Sequence, residues 1–102
     1  MDIGKLKHAV KSDHFKVTLH ALQEKEFDNL TLAEIKQSVE SSIIIEDYPD
    51  DKPYPSCLVL GFTVQKEPIH SVWAYDYTSG IAILITVYRP SPEKWVEYRK
   101  RK

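Results

Sequence analysis

The stretch SCLVLGFTVQKEPIHSVWAYDYTSGIAILITVYR, Ser56 to Arg89, decides the fold. β-Branched and aromatic residues fill three runs, Cys57–Val64, Ile69–Asp76 and Ile81–Tyr88, separated by turn chemistry. The last connection, Thr78-Ser79-Gly80, suits a three-residue hairpin with Gly80 in the left-handed conformation. That loop pairs Tyr77 with Ile81, and therefore Trp73 with Ile85, Val72 with Thr86 and His70 with Tyr88. Taking Gln65 to Pro68 as the other connection places Leu60 opposite Trp73 and Leu58 opposite Tyr75. The two hairpins then agree on one apolar face: Leu58, Leu60, Phe62, Trp73, Tyr75, Ile83, Ile85 and Val87. This is the expected core face. The opposite face carries Cys57, Val59, Gly61, Thr63, His70, Val72, Ala74, Thr86 and Tyr88, and with them the polar chemistry of the sheet.

Upstream of the meander the pattern changes from a period of two to one near 3.6. Ile3, Leu6 and Val10 share one helical face, ended by Ser12-Asp13. His14 to Val17 alternates like a short edge strand, and Thr18 is a suitable N-cap for a helix through Leu19, His20, Ala21 and Leu22. Thr31-Leu32-Ala33-Glu34 fits a capping box, with Leu30 placed to staple onto Ile35 and a buried stripe of Leu32, Ile35 and Val39. Ile43-Ile44-Ile45 switches to strand chemistry. Pro49, Pro53 and Pro55 then bracket an acidic loop that continues neither a helix nor a central strand. These elements predict an α+β domain, its N-terminal helices packed on one face of a mainly antiparallel sheet of about four strands.

Composition bounds the rest. The chain has 102 residues, 42% hydrophobic and 28% charged, which fits one globular domain over 1–102 rather than a disordered segment. No window reaches the roughly 18 consecutive apolar residues of a membrane span, and no signal-peptide core follows Met1, so the expected address is cytoplasmic and off the membrane. One cysteine, Cys57, excludes an intrachain disulfide and a Cys-cluster zinc site, and its strand position suggests a small buried hydrophobe. The net charge of −1 hides a basic C-terminal tail from about residue 96, preceded by Arg89 and Lys94. Such a tail attracts phosphate or an acidic partner; a solvated, frayed terminus is the plain alternative.

His8, His14 and His20 do not match a helical metal-ligand spacing, and neither metal nor cofactor is expected. His20 falls in the first turn of its helix, where the dipole disfavours the imidazolium and makes it a candidate neutral base. His70 beside Tyr88 is the stronger pair: an imidazole moves protons near neutral pH, and a phenol orients it or stabilises developing charge. Arg89 is placed to clamp a phosphate, with Lys94 a further substrate-binding cation. The combination suits metal-independent RNA cleavage, in which a 2′-hydroxyl attacks the adjacent phosphate. A cross-strand His–Tyr contact that only satisfies two polar groups is the structural alternative. Gly61 has no Gly-rich surroundings and reads as close backbone approach rather than a phosphate loop.

His20-Ala21, Ile44-Ile45-Glu46-Asp47-Tyr48-Pro49-Asp50-Asp51, Pro55-Ser56-Cys57-Leu58-Val59-Leu60-Gly61, Ile85-Thr86-Val87-Tyr88-Arg89-Pro90 and Glu93-Lys94-Trp95 together resemble an uncharacterised family of small bacterial domains. That family is written with a His-Ala helix, an "EEYPDD" stretch, a "PSCLLLG" strand, a His-containing strand and an "ITVYxPDPxxW" ending, and the likeness covers roughly Thr18 to Trp95. Its members are often encoded beside zinc-finger proteins of the MqsA/YgiT antitoxin type. The resemblance therefore implies the toxin-like member of a toxin–antitoxin pair, distantly like the MqsR and RelE ribonuclease toxins, with a zinc-finger antitoxin as partner and RNA as substrate. The chain departs from that pattern after His-Ala. Where relatives carry arginines ("HAxxRMxxRGI"), it has Leu22-Gln23-Glu24-Lys25-Glu26-Phe27-Asp28, largely acidic. The expectation is a metal-independent endoribonuclease with His70, Tyr88 and His20 catalytic and Arg89 and Lys94 binding substrate. A non-enzymatic protein-interaction module and a non-catalytic nucleic-acid binder are the rival readings.

Overall fold

Local caps set where the helices begin. A computed structural model describes residues 1–102. The carboxylate of Asp2 accepts from Lys5 N–H at the start of α1 (Ile3–Lys11), and Thr18 Oγ1 accepts from Ala21 N–H at the start of α2 (Leu19–Phe27). At α3 (Leu32–Glu40), Thr31 Oγ1 takes Glu34 N–H at 3.1 Å while Glu34 Oε1 takes Thr31 N–H at 2.9 Å, the reciprocal capping box expected from the sequence. α1 buries Leu6, Ala9 and Val10; α3 buries Ile35, Ser38 and Val39. Leu32 is not part of that stripe but lies exposed, and Ser38 takes the place, its hydroxyl donating to Ile35 O at 2.7 Å.

The sheet has five strands, not four, and it is mixed. β1 (Phe15–Val17), β2 (Ile43–Tyr48), β3 (Ser56–Phe62), β4 (Pro68–Asp76) and β5 (Ile81–Tyr88) stand in the order β1-β5-β4-β3-β2, with β1 parallel to β5 and the other neighbours antiparallel. α1 precedes β1 in the chain and packs on the same sheet face as α3. Residues 95–101, expected as the start of a basic tail, form a small antiparallel hairpin of β6 (Trp95–Val96) and β7 (Lys100–Arg101). No helix is long and apolar enough to cross a membrane.

The register corrects one half of the sequence reading. The β3–β4 connection is the five residues between Phe62 and Pro68, closed by Thr63 N–H to Glu67 O at 3.0 Å and Lys66 N–H to Thr63 O at 2.8 Å, with Lys66 in the left-handed region at φ 64°. Leu60 therefore pairs with His70 and Leu58 with Val72, not with Trp73 and Tyr75. The slip is an odd number of residues, so every β3 side chain lies on the face opposite to the one expected. The helix-side core contains Cys57, Val59, Ile69, Trp73, Leu84 and Val87 together with Leu6, Val10, Ile35 and Val39. Leu58 and Leu60 belong to the other face. On β5 the core takes Ala82 and Leu84 in place of the expected Ile83 and Ile85, because the β4–β5 register is also shifted near the turn.

Gly61 marks the closest approach of α3 to β3. A Cβ there would lie 1.7 Å from the carbonyl oxygen of Ser38, so only glycine lets the helix backbone sit on the strand. Trp73 fills the centre of this layer, fully buried, with Nε1 donating to Ser71 Oγ at 2.9 Å and Phe15 edge-on at 5.9 Å. Cys57 is a free, buried thiol, and burial pushes its pKa up to about 12, which leaves it an inert packing group.

Candidate functional site

β4 and β5 bring His70 and Tyr88 together as the sequence reading expected, although by a different route. The β4–β5 loop holds four residues, Tyr77 to Gly80, because the Asp76 carboxylate accepts from Thr78 N–H, Ser79 N–H and Ser79 Oγ and organises the turn. That shifts the near end of the hairpin, so Trp73 pairs with Leu84 and Asp76 with Ile81. A bulge at Ile85 of β5, opposite the Val72–Trp73 step of β4, then absorbs one residue and restores Val72 opposite Thr86 and His70 opposite Tyr88. Gly80 does adopt the left-handed conformation, at φ 74°.

His70 is fully buried on the face away from the helices, between the edges of Tyr88 and Trp95, with ring centroids at 5.3 and 4.4 Å. Its two nitrogens are both engaged: Nδ1 is 3.1 Å from Tyr88 Oη and Nε2 is 2.6 Å from the carbonyl oxygen of Tyr98. A carbonyl only accepts, so Nε2 carries the proton; in the neutral ring Nδ1 is then the acceptor and Tyr88 Oη the donor. Burial holds the His70 pKa below the usual imidazole range, partly offset by the Tyr98 carbonyl bond and by Glu46. Burial also raises the Tyr88 pKa, so the phenol keeps its proton at neutral pH. The arrangement is a proton acceptor fixed in one tautomer by a backbone group and facing a hydroxyl, the geometry by which a base is oriented.

Tyr98 reaches His70 because the β6–β7 turn places Glu97 and Tyr98 in the left-handed region, at φ 52° and 61°. The hairpin is tied down by Arg101, whose Nε and Nη2 donate to the two oxygens of Glu46 at 2.8 and 3.1 Å while its guanidinium stacks 4.7 Å from the Trp95 ring centre. The Arg101 bonds hold the Glu46 carboxyl below its ordinary range. Tyr48 donates to the same carboxylate, and burial with that acceptor pushes the Tyr48 pKa up to about 12.

Tyr88 stands between two open clefts of opposite charge. The larger, about 720 Å³, is lined by Tyr88, Arg89, Ser91, Glu93, Lys94, Trp95, Arg101 and Lys102. The smaller, about 410 Å³, is lined by His20, Gln23, Glu24, Phe27, Asp28, Val87 and Tyr88, with no lysine or arginine. His20 is thus brought to the other side of Tyr88 rather than to His70, its Nε2 3.1 Å from Glu24 Oε1. Lys94 lines the larger, cationic cleft. Arg89 lines it too, but its groups are engaged: its N–H donates to Asp28 Oδ2 at 2.8 Å, Nε to Asp28 O at 3.0 Å and Nη1 to Glu67 Oε2 at 3.2 Å. No three His, Cys, Asp or Glu side chains converge in metal-binding geometry.

Reading residues alone missed Trp95, Tyr98, Glu24 and Arg101. An indole at the head of a basic stretch was a signal for Trp95. Tyr98 acts through its carbonyl, which every residue has, so no side-chain pattern marks it.

The DUF4258 family, described as a domain of unknown function, matches residues 17–89, from the end of β1 to Arg89, and thus takes in His20, His70 and Tyr88 but not the C-terminal hairpin. No curated protein and no solved structure matches the chain. With well over half of its length matched, the chain belongs to the DUF4258 family.

Proposed function

We propose that the chain cleaves RNA without a metal ion and serves as the toxin-like component of a bacterial toxin–antitoxin pair. The observation that carries the catalytic reading is the Tyr98 carbonyl–His70–Tyr88 relay opening on a cleft lined by Lys94 and Lys102. In this reading the phosphate backbone lies along those cations. The 2′-hydroxyl gives its proton to Tyr88 Oη as Tyr88 passes its own proton to His70 Nδ1. The 2′-oxygen bonds to phosphorus, the bond to the 5′-oxygen breaks, and a 2′,3′-cyclic phosphate and a 5′-hydroxyl result. The leaving oxygen takes its proton from solvent in the open cationic cleft, because His20 lies across Tyr88 in the acidic one. Arg89 shapes the wall through its bonds to Asp28 and Glu67 rather than clamping phosphate alone. The pairing with an antitoxin rests on the sequence resemblance described above.

The test is cleavage of a mixed-sequence RNA in EDTA, with product ends read by mass spectrometry. The expected result is cyclic-phosphate ends from the parent and a loss of about 100-fold or more in rate for Tyr88→Phe, which keeps the ring and removes the relay oxygen. His70→Gln, checked for folding by circular dichroism, is expected to be equally inactive. No cleavage by the parent beside a working control rejects the enzyme and leaves an interaction module.

A further inference from the structure

α2 is anchored unlike the other helices. Of its nine residues only Ala21 is buried, whereas α1 and α3 each bury three. Polar contacts hold it to β5 instead: Glu24 Oε1 accepts from Val87 N–H at 3.2 Å and Asp28 Oδ2 from Arg89 N–H at 2.8 Å. Leu19, Leu22 and Phe27 are left in solvent, Leu19 at 72% and Phe27 at 88% exposure. Three large apolar side chains on one short helix are more than scattered surface hydrophobes, and they adjoin the smaller cleft, of which Phe27 is one wall.

The sign of that cleft selects its occupant. Glu24 and Asp28 line it with no cation among its walls, and the contacts named above engage one oxygen of each carboxylate, leaving the other for an incoming donor. A phosphate backbone is repelled here. An arginine is matched: its guanidinium bridges the two carboxylates, and its planar face stacks on the exposed Phe27 ring. Flanking aliphatic side chains of the same segment then cover Leu19 and Leu22.

We propose that the outward face of α2 and the acidic cleft beside it dock a basic, apolar segment of a partner protein, anchored by an arginine between Glu24 and Asp28. The surface is separate from the cationic cleft assigned to RNA, so it stands whether or not the chain cleaves RNA.

The test is selection of a random displayed-peptide library on the immobilised chain. The most enriched peptide is then titrated by fluorescence anisotropy against the parent and Phe27→Ser. Phe27 is exposed, so that variant is expected to melt at the parent's temperature. Enriched peptides carrying an arginine between aliphatic residues are the expected result. Their affinity should fall about tenfold or more on Phe27→Ser and on replacing that arginine by alanine. Several results would overturn the proposal. These are no enrichment, acidic peptides, or peptides that bind Phe27→Ser equally well. Self-association that sedimentation shows to be lost in Phe27→Ser would assign the face to a second copy instead. Binding of a labelled RNA oligonucleotide that is lost in Phe27→Ser would assign it to nucleic acid.

Discussion

The two faces of the sheet are covered by different physics. Toward the helices, α1 and α3 lay Leu6, Val10, Ile35 and Val39 on Val59, Ile69, Trp73, Leu84 and Val87, a continuous apolar layer whose stability scales with area removed from water. Toward the C-terminus, a hairpin with two residues in each strand closes over His70, on the face where Leu58 and Leu60 are also buried. It is held by one carbonyl bond to His70, one bidentate ion pair to Glu46 and the Trp95 ring. The first cover is non-directional and tolerant of pH and salt. The second depends on a few oriented groups, so it belongs among the elements that open first.

Gly61→Ala tests the helix-side cover at its tightest point. A methyl group placed 1.7 Å from the Ser38 oxygen forces α3 off the strand, with an expected loss of at least about 3 kcal/mol in urea unfolding. Trp95→Ala tests the other cover. It removes the ring from His70 and Arg101, with an expected loss of about 3 kcal/mol or slightly less, because an open lid collapses more easily than a closed core. Equal losses with equal changes in amide exchange across both faces would erase the contrast drawn above.

Acid should separate the faces further. The His70 pKa is lower in the folded chain than its ordinary value of 6.5, so the unfolded chain binds the proton more readily. The stability contribution is complete above about pH 6.5 and is lost as pH falls from there through the lower folded value. A pH series of denaturant midpoints is expected to decline over that window in the parent and to be flat there in His70→Gln. A second decline belongs to Glu46, whose carboxyl is held below its ordinary 4.5 by Arg101 and which loses its contribution as pH falls from about 4.5. The smallest effect is expected from Arg101→Gln, about 0.5–1 kcal/mol, since one partner is largely exposed; the loss should shrink in high salt. A loss independent of salt would mean that the guanidinium contributes mainly by packing on Trp95.

Particular residues show how far the sequence could be read. The capping box at Thr31, the N-cap at Thr18 and the apolar face of α1 were legible because each is decided within one helical turn. Gly61 was legible as a close approach, though not which backbone it meets. The His70–Tyr88 pair was expected from a three-residue turn, yet the turn has four residues and a bulge farther along compensates for it. Two local departures cancelled, and the pair came out right for an incomplete reason. At the β3–β4 turn nothing cancelled, and Leu58 and Leu60 changed faces. Leu–Val alternation is apolar on both faces there, so the pattern carried no information about which side meets the helices. The candidate site was legible in its side chains on β4 and β5 and illegible in its cover. The hairpin turn at Glu97 and Tyr98 holds two non-glycine residues in the left-handed region, which no turn signature announces.

By itself, the amino-acid order determined the helices and the five sheet strands, though not the C-terminal hairpin. It also determined the caps that begin the helices, the glycine at the α3–β3 contact and the presence of an imidazole and a phenol on neighbouring strands. These are settled by interactions a few residues apart. Only the tertiary structure decided the face on which β3 presents its leucines, the mixed five-stranded order, the carbonyl that fixes the His70 tautomer, the engagement of Arg89 by Asp28 and Glu67, and the opposite charges of the clefts beside Tyr88. Each of these depends on groups tens of residues apart. Their meeting is set by turn lengths and by competition for buried surface, and a shift of one residue in a turn reverses the outcome.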